Sequence, residues 1–416
     1  MLQLNSTVML KSFTVENSHC FGDSVTLDMS AQLNGESLDG DGNPIPEQSE
    51  IYEVVREYKV GRQFGILPVA AIYGKNASGK SKLLQSLHDM IEDILGNNTQ
   101  EHVMKNHQSN FRQLDTHYNI CFLANGYEYS LSYTIEKERV TKERITRTTL
   151  DVNVFEEVLY DKISCVVCED FRPIAELMKA NDKDVLLFSV ILHQTHFKDI
   201  RNWFHSMRNS FKNPDQYATF KNIAKKIGCE KEESFRKRML HFLECFDLSI
   251  ADLKGINTQL WIFHKTSGNM LIQYQAYEES SGTRKLIKLF PQIDNALKNG
   301  LPFLCDGLDK DLHSIVFRQL VSMFNNPKMN KRNAQLIFTA HDTIVLDSDL
   351  LRRDEVHIVD KDEHSVSTVM RLSEMEGVEK YPYMEFDYRT GIYGSFLEDI
   401  YNAYPAEESA KHEDVL

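Results

Sequence analysis

What the 416-residue chain lacks narrows its class first. No apolar run approaches the roughly 20 residues that a helix needs to cross a bilayer, so no membrane role is expected. The opening "MLQLNSTVMLKSF" has no charged leader followed by an apolar core and a cleavage site, which points to a cytoplasmic protein. Cysteine is scarce, odd in number at seven, and irregularly spaced, which does not describe a disulfide framework. Cys165 and Cys168 make one CxxC in "ISCVVCED", but no second pair or suitably spaced histidine lies near, so both read as strand cysteines rather than zinc ligands. Internal repeats, low-complexity tracts and the long heptad run of a coiled-coil arm are also absent. Basic charge is in deficit: the net charge of −14 argues against a surface built mainly to hold nucleic acid. Residues 196–238 depart from this, with eleven Lys/Arg against five Asp/Glu, and read as a solvated helical face or as a docking patch for an acidic partner or nucleic acid.

What is present is an alternation of strand and helix patterns. "SFTVENSHCFGDSVTLDMSA" (12–31) reads as two strands about a turn, and the Gly-, Pro-, Asn- and Asp-rich residues 32–50 as a loop or insertion. "FGILPVAAIYG" (64–74) is a continuously apolar run, the pattern of a strand buried on both faces. "KSKLLQSLHDMIEDIL" (80–95) then switches to helical spacing, with Leu83, Leu84, Leu87, Met90 and Ile91 on one stripe. Residues 118–135 are a hairpin about Asn125-Gly126. From 172 to about 250 the pattern is helical; after 256 strands return, followed by a helix, an apolar run into Asp306, and apolar strands at 334–342 and 355–362. The alternation implies an α/β core.

Between the apolar strand and the amphipathic helix lies "GKNASGKS", Gly74, Lys75, Asn76, Ala77, Ser78, Gly79, Lys80 and Ser81, a complete G-x-x-x-x-G-K-[ST]. The glycines let successive N–H groups turn inward on phosphates, and the helix N-terminus adds its partial positive charge. Lys80 is expected at the β- and γ-phosphates and Ser81 at Mg²⁺. A metal carboxylate on a neighbouring strand completes such a site, and "LPFLCD" supplies Asp306. The next residue is Gly307, where a glutamate would orient or deprotonate the attacking water. ATP is therefore expected to bind well and to turn over slowly.

Two further pieces, "ESSGTRKL" (279–286) opening a helix and "LIFTAHDT" (336–343) ending a strand in His341, complete an ordered series. The order resembles the ABC-type ATPase heads: phosphate loop, SG-containing signature, metal aspartate, switch histidine. Within that class the chain resembles the AAA-labelled ATPases of prokaryotic anti-phage systems, the AbiL, RloA, PARIS and Septu group, through "YGKNASGKSKLL", "SSGTRKL", "LDKDLH", "FTAHDTIVLDSDLLRRDEVHIVDKD" and "YRTGIYGSF". The resemblance covers about 1–95 and 256–395. It implies a P-loop NTPase head with an antiparallel β subdomain in 1–170, a helical insertion in 171–255, the rest of the head in 256–395 and a polar tail in 396–416. It also implies that Ser280, Ser281 and Gly282 meet the γ-phosphate bound by a second copy. Asp309 would lie between the two sites, and His341, with Asp306 and Asp309, would serve catalysis.

The implied role is an ATP-driven homodimer or larger homo-oligomer that controls a separate effector, a nuclease such as a Toprim-like protein, during phage infection. Trp203, Phe204, Arg208 and Lys225 are the expected docking residues of the insertion. The alternative is a DNA-binding repair ATPase of the RecF or SMC sort, against which the acidity and the missing coiled-coil arm count. A fused nuclease of the OLD sort would need an acidic cluster after 362, where too few residues follow.

Overall fold

The computed structural model describes residues 8–31, 56–60, 62–96, 115–137, 139–150, 155–180, 186–211, 220–247, 249–268, 270–375 and 383–393. The loop expected at 32–50, the tail at 396–416 and the end of "YRTGIYGSF" lie outside them.

Along the chain, β1 (Met9–Glu16) and β2 (Val25–Asp28) form the first hairpin, and β3 (Ser30–Ala31), β4 (Arg56–Val60) and β5 (Arg62–Ile66) a small sheet. β6 (Val69–Tyr73) leads into α1 (Lys80–Ile94). The meander β7 (Thr116–Ala124), β8 (Tyr127–Glu136), β9 (Arg139–Thr149), β10 (Glu156–Asp161) and β11 (Val166–Val167) follows. Next come α2 (Arg172–Ala180), α3 (Leu187–Ile191), α4 (Lys198–Ser210), α5 (Phe220–Ile227) and α6 (Glu233–Glu244). The antiparallel sheet β12 (Ile250–Ile256), β13 (Gln259–Lys265) and β14 (Leu271–Gln275) precedes α7 (Ser281–Asn299). The chain closes with β15 (Phe303–Cys305), α8 (Ser314–Asn325), β16 (Leu336–Thr339), β17 (Val356–Lys361), β18 (Ser367–Arg371) and α9 (Met384–Arg389).

The central sheet runs β15-β16-β6-β17-β18, its first four strands parallel and β18 antiparallel. β6 is buried at every position because both faces of this sheet are covered. Successive side chains on a strand point to opposite faces, and the two faces feed two cores. Ala70, Ile72, Leu304 and Ile337 join α1 and the seven-stranded antiparallel sheet β11-β10-β9-β8-β7-β1-β2. Val69, Ala71, Tyr73, Phe303 and Phe338 join α7, α8 and the β12–β14 sheet. The stripe of α1 is fully buried in the first core, where each large side chain contributes roughly 1.5–3 kcal/mol. Gln335 locks the antiparallel sheet to the core: its amide accepts from Leu10 N at 2.7 Å and donates to Leu10 O at 2.9 Å and Leu67 O at 3.2 Å.

The helices after 171 do not form one body. Phe188, Trp203 and Phe204, from α3 and α4, pack in the first core, whereas Ile223, Phe235 and Met239, from α5 and α6, pack in the second. This corrects the expected docking surface. Trp203 is 1% exposed and Phe204 0%, because α4 turns its aromatic stripe onto Phe122 of the antiparallel sheet. Cys165 and Cys168 also depart from their strand reading: Cys165 sits in the β10–β11 turn at φ 58°, exposed, and Cys168 lies just past the end of β11. The Asn125-Gly126 turn is as expected, with φ 52° and 83° joining β7 to β8.

Candidate nucleotide-binding site

The phosphate loop connects β6 to α1 through backbone that only glycine tolerates. Gly74 has φ 149°, and a Cβ there would lie 2.1 Å from the Val359 carbonyl oxygen. Gly79 has φ 117°, and its Cβ would lie 2.8 Å from Cys20 Sγ and 2.9 Å from Ser367 Oγ. The β1–β2 turn and the start of β18 thus press on the loop from outside. At α1 no side chain caps the N-terminus and no acidic residue occupies the first turn. Its free amides and the positive end of the helix dipole are left for an anion. Ser78 Oγ, buried against Gly74, has no partner among the described groups.

Lys80 is almost fully buried, its ammonium donating to the Gly74 and Lys75 carbonyls at 2.6 and 2.7 Å. Burial pushes its pKa down, against the opposing pull of Asp306 and Asp309. Ser81 Oγ donates to Asp306 Oδ1 at 2.8 Å, and Thr339 Oγ1 donates to the same oxygen at 2.6 Å. Thr339 in turn accepts from Gly307 N at 2.8 Å, so β16 fixes the end of β15. These residues fit a magnesium nucleotide: Ser81 and Asp306 would hold the metal, and Lys80 with the loop amides would hold the phosphates.

Asp309 Oδ2 accepts the backbone N–H groups of both His341 and Asp342 at 2.8 Å. That oxygen holds the loop at 341–342 in shape, while Oδ1 is buried with no partner among the described groups. Tyr73 OH donates to the Asp342 carbonyl at 2.7 Å from the opposite side. His341 is exposed and borders a cleft of about 500 Å³ with Lys80, Ser81 and Lys82. Desolvation first and the Lys80 charge second lower its pKa, favouring the neutral ring that can accept a proton. Gly307, at φ 70°, presents no side chain, and a Cβ there would meet only Lys310 at 3.6 Å.

Ser280 caps α7, its Oγ accepting from Thr283 N at 3.1 Å, and Ser281 opens the helix exposed. Gly282 passes the Asp311 carbonyl so closely that a Cβ would sit 3.2 Å from it. Ser280, Ser281 and Gly282 do not border the cleft that holds Lys80 and His341. One chain therefore brings Lys80, Ser81, Asp306 and His341 together, while the signature turn packs on the loop after Asp306 without lining the cleft.

Three contributors were missed in the sequence. His19, at φ 54° in the β1–β2 turn, borders the cleft, with Nε2 paired to Asp89 Oδ2 at 3.0 Å. Lys361 borders it from β17. Lys285 is buried in α7, where its ammonium donates to the Gly307 carbonyl at 3.1 Å and to that of Lys310. The distance of His19 and Lys361 from the motif in sequence hides them. Lys285, by contrast, was discoverable as a lysine on the apolar stripe of a helix.

Residues 69–347 match the family model described as "AAA domain, putative AbiEii toxin, Type IV TA system". No curated protein matches the chain. Among solved structures it is similar to the SMC head domain from Thermotoga maritima, at 14% identity and a TM-score of 0.43 over 87% of this chain and 98% of that one. It is also similar to an SMC head bound to the C-terminal winged-helix domain of ScpA, at 12% identity and a TM-score of 0.41, covering 87% and 97%. A third similarity is to RecF with a bound ATP analogue, at 12% identity and a TM-score of 0.35, covering 88% and 99%.

Proposed function

We propose that this chain, which belongs to the AAA-domain family matched over residues 69–347, is an ATP-dependent switch in anti-phage defence that pairs with a second copy and controls a separate effector. One observation carries the pairing: Asn76–Lys82 of the phosphate loop line one cleft with His341, and Ser81 ties Asp306 to it, while the exposed Ser281 at the N-terminus of α7 does not line it. A helix N-terminus is an anion site, and a second copy's triphosphate suits the first-turn amides that the Ser280 cap does not engage. Bound ATP–Mg²⁺ supplies the negative charge that joins the copies. Lys80, Ser81 and Asp306 hold it on one side, and Ser281 with the α7 amides receives it on the other. Pairing then arranges the surface that holds or releases the effector, a nuclease by family resemblance.

The missing carboxylate at 307 supports slow turnover, so that binding rather than hydrolysis sets the switch. His341, neutral and facing the cleft, is the group left to orient water.

The test is the mass of the purified protein in solution with and without ATP–Mg²⁺, beside Lys80→Ala and Ser281→Arg. ATP should raise the mass of the wild type alone, while Ser281→Arg still binds nucleotide. A wild type that binds ATP and stays monomeric would end this reading. Co-purification with the product of the adjacent reading frame tests the effector.

One observation favours a DNA-binding reading instead: Lys221, Lys225 and Lys226 of α5 and Lys237 of α6 are all exposed. Duplex binding that weakens steeply with salt would establish it.

A further inference from the structure

Outside the cleft, the structure contains a half-buried polar chain that ends at the signature turn. Glu279, immediately before the Ser280 cap, has its carboxylate 8% exposed and meets His264 Nε2 of β13 at 2.8 Å. His264 Nδ1 lies 2.8 Å from Ser249 Oγ, and Ser249 Oγ donates to Asp247 Oδ1 at 2.6 Å, just beyond the end of α6. The donors can be counted. Ser249 has one hydroxyl proton and gives it to Asp247, so its oxygen accepts from His264 Nδ1; the Glu279 carboxylate accepts from Nε2. His264 thus bridges the two groups, one ring nitrogen toward Ser249 and the other toward Glu279. The same atoms outline a serine-hydrolase triad, but a serine whose proton is held by Asp247 is not a nucleophile activated by His264.

The position of Glu279 gives this chain its meaning. A carboxylate beside a helix N-terminus competes with any anion that approaches there. An unpaired Glu279 would repel the triphosphate that the signature turn receives in the proposed pairing, on which this inference rests. We propose that His264 is a positioning residue for that turn: it draws the Glu279 carboxylate toward β13, leaving the amides of Ser281 and Gly282, the two that the Ser280 cap does not engage, open to the second copy's nucleotide. Arg284, which donates to the Tyr277 carbonyl at 2.9 Å, braces the same turn from the other side. Through Ser249 and Asp247 the end of α6 is joined to the turn, so strain on the helical segment reaches the nucleotide interface.

His264→Ala and His264→Gln, each checked by circular dichroism for a native fold, are compared with the wild type for ATP-driven self-association. Losing the group that holds Glu279 away from an anion site is expected to weaken pairing about tenfold, less in the glutamine variant, which keeps one donor. Adding Glu279→Gln to His264→Ala removes the unpaired charge and should return pairing to within about threefold of the wild type. A purely structural role would not be rescued this way, so failure of the double variant to recover overturns the proposal. Hydrogen exchange at residues 281–283 in the nucleotide-free monomer separates the two readings. Faster exchange in His264→Ala supports the positioning role even if the wild type never pairs, and unchanged exchange overturns it even if the wild type does.

Discussion

Asp309 and His341 are joined through backbone: one carboxylate oxygen of Asp309 takes the N–H of His341 and of its neighbour Asp342, both at 2.8 Å. The loop after Asp306 and the switch loop are therefore one unit. Asp309→Ala leaves two amides to find other partners, at a cost of about 1–3 kcal/mol. The expected outcome is a lower melting temperature and slower ATP turnover, with nucleotide affinity nearly kept. Asp309→Asn, which retains a carbonyl acceptor, should lose less in both, as calorimetry and a phosphate-release assay would show.

Gly307→Glu should raise turnover. A Cβ at 307 has ordinary contact with Lys310 and room beyond. A positioned carboxylate is worth up to about 10²–10⁴-fold. The left-handed φ of 70° exacts strain of about 1–2 kcal/mol, so the variant should also melt earlier. Unchanged single-turnover hydrolysis would show that position 307 does not limit the rate.

Lys80→Ala removes the ammonium that now bridges the Gly74 and Lys75 carbonyls. A hydrogen bond to a charged group is worth about 1.5–3 kcal/mol, so ATP affinity should fall roughly 10–100-fold. The measurement is isothermal titration with a non-hydrolysable analogue. His19→Ala should lower affinity by a smaller factor, because His19 borders the cleft without belonging to the loop.

Glu143 predicts how stability varies with pH. Burial raises its pKa from 4.5 to about 7, against the lowering effect of the Phe188 and Leu187 amides that it accepts at 3.0 and 2.9 Å. The folded state then holds a proton that the unfolded state has released, so this contribution is full below about pH 4.5 and is lost as pH rises through 7. The loss is on the order of 3 kcal/mol. Denaturant titrations at pH 5 and pH 8 should show this slope in the wild type and a flatter one in Glu143→Gln.

The legible parts of this protein were local. "GKNASGKS" could be read because its chemistry is contiguous and its strand and helix abut it; Asp306 and His341 could be read because each ends an apolar strand. Reading failed where the third dimension chooses between equivalent surfaces. An amphipathic stripe says that α4 buries Trp203 and Phe204, yet the cluster of basic residues around them suggested an outer face. The stripe also does not say which face of the central sheet a helix joins, so α4 and α5, close in sequence, were assigned to one insertion. Thr339 could not be singled out, since only the parallel pairing of β15 and β16 brings its hydroxyl to Asp306.

Lys285 carries a consequence for how a pair of copies would behave. Its ammonium is fastened to the carbonyls of Gly307 and Lys310, so in the proposed pairing the helix that would meet a neighbour's nucleotide is tied to the loop that follows Asp306. Release at one pocket would be transmitted across this link to the other. Two such pockets would empty together, and the assembly would come apart in a single step rather than by halves.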